Sequence, residues 1–158
     1  MAARSAFEDL APTLLPDGSL SLHATTVAVD GRALVISGPS GAGKSGIAAQ
    51  MLTLGAALIV DDLTRLISRD EALWAMAPTD APIRLELRGL GLCETPAASP
   101  APVAACLILG SSAARLPDPE TMDLLGHAIP VLRHPVTFDL AAKLMLWLRG
   151  GGVDEMPQ

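Results

Sequence analysis

Tyrosine is absent from this 158-residue chain, and phenylalanine and tryptophan occur only twice each. So few aromatic rings leave no platforms on which nucleobases could stack, which excludes stacking-based recognition of single strands. Positive charge is scarce as well. Eleven Lys and Arg against 17 Asp and Glu leave a net charge of −6, and no basic patch offsets it, so binding to a nucleic-acid backbone is not expected. Two cysteines, Cys93 and Cys106, have neither metal-ligand spacing nor the density of a disulfide framework, and a reducing cytoplasm is the expected compartment. Half of the residues are apolar, yet no run approaches the ~18 that span a bilayer, so no membrane association is expected. Met1 to Asp17 mixes acidic, basic and proline residues, unlike a secretory signal. No Asn-Lys-x-Asp segment is present to read a guanine, which argues against a GTPase.

What the chain does carry is a phosphate-binding loop. Gly38, Pro39, Ser40, Gly41, Ala42, Gly43, Lys44 and Ser45 fit G-x-x-x-x-G-K-[ST]. The apolar strand Ala33–Ser37 precedes them and the Ala-rich, helix-forming run Ile47–Leu54 follows. Glycines at these places let successive backbone N–H groups turn inward, and the helix N-terminus adds its positive end. Lys44 is placed to reach the β- and γ-phosphates, and the Ser45 hydroxyl to ligand Mg²⁺. The expected ligand is a nucleoside triphosphate or a similar polyphosphate.

The loop has an unusual approach. Ala24–Val29 and Arg32–Ser37 read as strands joined by Asp30-Gly31, a two-residue hairpin signal because both turn positions need positive φ. Most strands entering a phosphate loop are joined to their sequence neighbours by helices in a parallel sheet. The hairpin pairs Val29 with Arg32 and Thr25 with Ile36, and extending it sets His23 opposite Gly38, beside the phosphates. After the helix, which Gly55 caps, Ala57–Val60 is a buried strand that runs into Asp61-Asp62. Adjacent carboxylates there point to opposite faces, one toward the nucleotide and one toward a neighbouring loop. Phosphoryl transfer needs a carboxylate near the cation or the attacking hydroxyl.

Further on, Leu66–Arg69 and Ala72–Met76 read as a hairpin turned by Asp70-Glu71. Ile83–Arg88 alternates as a strand, and Gly89-Leu90-Gly91 suggests a close backbone approach. Residues 94–102 read as a flexible loop, Val103–Leu109 as a strand, and Gly110 to Pro117 as a loop. Asp118–Gly126 reads as a short helix, and Thr137–Arg149 as an amphipathic helix stopped by Gly150-Gly151-Gly152. The expected organisation is a weakly ordered lead-in over 1–20, one domain over 21–150 and a flexible tail over 151–158.

Three segments together, Gly38–Ser45, Asp61-Asp62 and Leu85-Glu86-Leu87-Arg88-Gly89-Leu90-Gly91-Leu92, resemble the catalytic domain of HPr kinase/phosphorylase. The third looks like that family's own signature region, and the resemblance runs from about residue 20 to 149. It implies an α/β fold with the mixed sheet of the HPr kinase/PEP carboxykinase type, an antiparallel hairpin leading into the phosphate loop, and a C-terminal helix. It also implies an ATP- and Mg²⁺-dependent kinase acting on a serine of the phosphocarrier HPr of the bacterial phosphotransferase system, with a phosphorylase as the reverse activity. Residue by residue, Lys44 would bind phosphate, and Ser45, Glu86 and Asp61 the Mg²⁺. Asp62 resembles the general base, His23 the active-site histidine before the loop, and Arg115 an arginine that stabilises the transferred phosphoryl group. Arg88 lies in the region tied to both activities. The likeness is to the short, single-domain form, and family members commonly form homohexamers. Gly46 stands where the family is usually acidic, and Arg133-His-Pro-Val-Thr137 where it has a Gly/Arg-bearing loop linked to dephosphorylation. A small-metabolite kinase of the same loop type and a nucleotide-binding regulator with little catalysis remain as alternatives.

Overall fold

The structure, a computed structural model, describes residues 5–78, 81–110 and 118–150. In chain order they form α1 (Ala6–Leu10), β1 (Thr13–Leu14), β2 (Leu20–His23), β3 (Thr25–Val29), β4 (Arg32–Ser37) and α2 (Lys44–Thr53). Then come β5 (Ala57–Val60), β6 (Leu63–Arg69), β7 (Ala72–Met76), β8 (Arg84–Leu87), β9 (Gly91–Glu94), β10 (Ala101–Leu109), β11 (Thr121–Leu124), β12 (His127–His134) and α3 (Leu140–Arg149).

The mixed α/β sheet is built around β4. Asp30 and Gly31 both adopt positive φ (51° and 76°), so the hairpin closes tightly and Thr25 pairs with Ile36 and Val29 with Arg32 as the turn predicts. On its other side β4 runs parallel to β10, and β10 runs parallel to β12. The three parallel strands end together, with Gly110 donating its N–H to His134 O at 3.3 Å. Ligand sites in such sheets lie beyond the carboxyl ends of the strands. Here that is where β4 delivers the phosphate loop.

Both faces of β4 are covered, which is why it reads as an unbroken apolar run instead of an alternating one. Leu34 and Ile36 face Ile47, Met51, Leu144 and Leu148 of the two longer helices. Ala33 and Val35 face the opposite cluster, with Leu10, Leu22, Leu66 and Leu73. That second layer is a curl of antiparallel strands, β1-β2-β6-β7, joined to the main sheet where the first residues of β10 pair with β7. A register shift between Val103 and Ala105 lets the one long strand serve both layers.

Several expectations need correction. Within the expected weakly ordered lead-in over 1–20, the described residues 5–20 are folded. Ser5 caps α1, Ala6 and Leu10 are buried in the core, and β1 pairs with β2. Two arginines hold this segment: Arg133 Nη1 donates to Asp9 Oδ2 at 3.0 Å, and Arg65 Nη2 to Asp17 Oδ2 at 2.6 Å. Asp118–Gly126 is not helical, because Thr121–Leu124 pairs antiparallel with β12 and Leu125-Gly126 makes a tight turn with both φ positive. Residues 94–102 are not a free loop. Leu58 N–H donates to Pro96 O at 2.7 Å and Ala98 N–H to Leu58 O at 2.9 Å, which covers the open edge of β5. Gly89 and Gly91 serve the β8–β9 turn, with φ of 86° and 111° and open space where side chains would stand, so no close backbone approach explains them. The C-terminal helix begins at Leu140, after Thr137 has turned back to donate its hydroxyl to Asp139. Residues 151–158 lie outside the described residues.

Two measurements test the anchoring of the lead-in. Asp9→Ala removes one partner of a half-buried guanidinium and is expected to lower stability by about 1–3 kcal/mol in urea unfolding; an unmoved midpoint would mean that the Arg133–Asp9 contact does not anchor α1. The second concerns acid. Hydrogen bonds from Ser19, with Arg65 beside them, hold the Asp17 carboxyl at about 2 against an ordinary 3.8. A depressed carboxyl stabilises the fold above its unfolded value and loses that contribution as pH falls, so the Asp17 share should fade from about 3.8 down through 2 and be missing in Asp17→Asn.

Candidate active site

The loop is shaped by its glycines. Gly41 and Gly43 adopt φ of 81° and 105°, which a side chain resists, and Gly43 is the residue that caps α2. At Gly43 a Cβ would also stand 3.1 Å from Val136 Cγ2, so the loop leans on the segment after β12. Lys44 Nζ donates to Gly38 O at 2.7 Å and Pro39 O at 3.3 Å, which folds the ammonium over the loop that a phosphate would occupy.

A cavity of about 710 Å³ opens above this loop. Ser40, Gly41 and Gly43 to Gly46 form its floor; Thr25, Asp61 and Asp62 form one wall; Glu86 to Arg88 and Leu90 of the β8–β9 hairpin form another. Three segments far apart in sequence thus share one space, and they are the three on which the family resemblance rests.

Asp61 ties them together. Its Oδ1 accepts from Thr25 Oγ1 at 2.8 Å and from Ser45 Oγ at 3.1 Å, and its Oδ2 accepts from Glu86 N–H at 3.3 Å. Asp62 has a left-handed φ of 79°, and Leu63 N–H turns back to Asp61 O at 3.1 Å. This sharp turn overrides strand alternation. The two carboxylates, expected on opposite faces, border the same cavity, with Asp61 against the loop and Asp62 toward its mouth.

His23 arrives by a different route from the one its register predicts. The β3–β4 ladder stops at Thr25, Ala24 gives its N–H to Asp62 O at 2.9 Å, and His23 pairs with Leu63 of β6, not with Gly38. The chain changes sheet at Ala24, so a straight extension of the hairpin fails there. The imidazole nevertheless stands near the carboxylates, with Nδ1 3.6 Å from Asp62 Oδ1 and both side chains exposed. Arg115 lies outside the described residues. Arg133 is engaged away from the cavity, by Glu120 at 2.9 Å and Asp9 at 3.0 Å, and those partners hold its proton more tightly than usual. His134 Nε2 lies 2.8 Å from Lys143 Nζ.

Thr25 escaped the sequence reading. A clue was present: a hydroxyl inside an otherwise apolar buried strand must find a partner, and here the partner is Asp61.

Among the described residues no group of three His, Cys, Asp or Glu could hold a metal by itself. The donors in the cavity are nonetheless those Mg²⁺ uses beside phosphates: a hydroxyl, Ser45, and carboxylates, Asp61 and Glu86. Mg²⁺ keeps several waters and binds through one or two carboxylates plus substrate phosphates, so an all-protein cage is not required. The residues fit the cation. No helix among the described residues is long and apolar enough to cross a membrane.

Comparison with known proteins agrees with this geometry. A family model described as the HPr serine kinase C-terminal domain matches residues 17–98, which contain the loop, both aspartates and the β8–β9 hairpin. The chain is 37% identical over 75 residues to the HPr kinase/phosphorylase of Limosilactobacillus reuteri (strain DSM 20016), covering 47% of this chain and 23% of that protein. It is 35% identical over 85 residues to the HPr kinase/phosphorylase of Clostridium botulinum (strain Eklund 17B / Type B), covering 54% and 27%. The chain thus spans about a quarter of the length of the curated relatives it matches. Among solved structures, the Hpr(Ser) kinase/phosphatase from Coxiella burnetii superposes with a TM-score of 0.73 at 20% identity, covering 82% of this chain and 88% of that one, which establishes a shared fold.

The glycine at 43 offers a direct test of the loop. Gly43→Ala should abolish measurable ATP binding in calorimetry, and pairing it with Val136→Ala, which removes the steric contact, should not restore it, because φ of 105° remains. Binding recovered in the double variant would show that crowding alone forbids a side chain there.

Proposed function

The chain belongs to the HPr serine kinase C-terminal domain family, and from that premise we propose that it is an ATP- and Mg²⁺-dependent protein kinase acting on a serine of an HPr-type phosphocarrier. The observation that carries this reading is the convergence of Lys44, Ser45, Asp61, Asp62 and Glu86 on one cavity. The triphosphate lies along Gly38–Ser45, with the loop N–H groups and the start of α2 facing its charge. Lys44 leaves its loop carbonyls for the β- and γ-phosphates. Ser45, Asp61 and Glu86 would hold Mg²⁺ together with the phosphates, and the cation would supply neutralisation of the charge on the transferred group. Arg115 is proposed to add a second positive charge there.

The seryl hydroxyl enters at the mouth of the cavity, where Asp62 is exposed. Asp62 accepts its proton as the oxygen attacks the γ-phosphorus and ADP leaves. His23, 3.6 Å from Asp62, orients that carboxylate. In the phosphorylase direction inorganic phosphate would attack phosphoserine, Asp62 would return a proton to the departing seryl oxygen, and pyrophosphate would form. Arg133 is committed to Glu120 and Asp9, so this arginine is not free to grip phosphate, and we read the forward kinase as the main activity. The cytoplasm is the proposed location and a homo-oligomer the proposed state.

Incubation with labelled ATP, Mg²⁺ and an HPr-type carrier tests the reading. Label should appear on a carrier serine; label on a small metabolite would replace the assignment with a metabolite kinase, and none at all with a nucleotide-binding regulator. Within the same assay Asp62→Asn should slow transfer by roughly 10²–10⁴-fold and leave ATP affinity nearly intact. Near-wild-type transfer in that variant would remove Asp62 from the proton step.

A further inference from the structure

One hydroxyl at the wall of the cavity has no part in the chemistry above. Thr25 is 1% exposed and stands at the start of β3, a strand buried along its whole length. Its Oγ1 is committed to Asp61 Oδ1 at 2.8 Å, the same oxygen that accepts from Ser45 at 3.1 Å. Two backbone ties bracket this contact. Ala24 N–H is bonded to Asp62 O at 2.9 Å, and Thr26 is paired with Val60. The main chains that carry Thr25 and Asp61 are therefore held together on both sides, and the hydroxyl meets the carboxylate without freedom to drift.

The consequence concerns Ser45. A serine hydroxyl has one proton and two lone pairs. When the proton points at Asp61, both lone pairs are left for a cation. When Asp61 turns away, the proton can rotate into the cation's place. The terminal torsion of an aspartate is broad, so something must hold the carboxylate in its accepting orientation. Glu86 N–H holds Oδ2 at a long 3.3 Å, and Thr25 holds Oδ1 at the shorter distance.

We propose that Thr25 is a positioning residue: its hydroxyl fixes Asp61 so that Ser45 presents its lone pairs to the divalent cation that accompanies the nucleotide. The assignment rests on the kinase reading of this cavity. Thr25 acts through Asp61 and not on substrate.

The test is a Mg²⁺ titration of ATP binding, followed by calorimetry, with a parallel titration of ATP in EDTA and a melting curve for each variant. Thr25→Val keeps shape and deletes the hydroxyl. It should need roughly 10–100-fold more Mg²⁺ for half-saturation, while its ATP affinity in EDTA stays at the wild-type value. Thr25→Ser should restore the wild-type requirement. If Thr25→Val melts below the assay temperature, Thr25→Cys, a weak donor of similar size, must show the same separation. An unchanged Mg²⁺ requirement, an equal loss of affinity with and without Mg²⁺, or failure of Thr25→Ser to rescue would overturn the assignment. Wild-type chain that shows no Mg²⁺-dependent ATP binding would overturn the kinase reading and this assignment with it.

Discussion

The carboxylate of Asp61 is the contact through which the cavity is assembled. It receives a hydroxyl from the first strand of the hairpin, a hydroxyl from the first turn of the helix after the phosphate loop, and an amide from β8. Apolar contact packs these elements together, with Val27 and Val29 of β3, Ile47 and Met51 of α2 and Leu85 of β8 in one buried cluster, but apolar contact is non-directional and does not aim a side-chain oxygen. A charged acceptor with three donors does so, because each charge-assisted bond is short-ranged and directional. Its neighbour Asp62, forced into a left-handed turn, is thereby held at the cavity mouth and exposed. One aspartate organises and the other is left available.

This division depends on the sheet. A phosphate loop needs a strand that ends at a fixed height, and β4 is held at that height by β3 on one side and β10 on the other. The two helices bury Leu34 and Ile36 while the antiparallel curl buries Ala33 and Val35, so the strand cannot slide without exposing one apolar set. The lead-in contributes to the second layer through Leu10, and Arg133 ties that segment to the strand whose end meets Gly110. Residues remote from the cavity therefore help to set the level of its floor.

Much of this was legible in the chain. The hairpin register, the loop, the helix behind it, the β6–β7 hairpin and the C-terminal helix follow from local turn chemistry and periodicity. Misreadings arose where the deciding contact was distant. Asp118–Gly126 lacks any local mark that it will pair beside β12, and residues 94–102 look free until β5 needs cover for its edge. Local pattern runs from His23 to the loop along one ladder, whereas the chain leaves that ladder at Ala24; the histidine reaches the aspartates from the end of β2, paired with Leu63 of β6. Thr25 carries no local mark, because a threonine in a strand is ordinary until its burial is known.

Sequence alone determined the identity of the phosphate loop, the tight turn that leads into it and the residues able to carry the chemistry, since glycine conformational freedom, helix-end polarity and side-chain acidity are properties of short segments. Tertiary structure decided which carboxylate faces the loop, how the imidazole arrives, and that the lead-in belongs to the core. Those outcomes depend on hydrogen bonds between residues 36 and 124 positions apart, and no local pattern encodes which distant partner will be within reach once the sheet has closed.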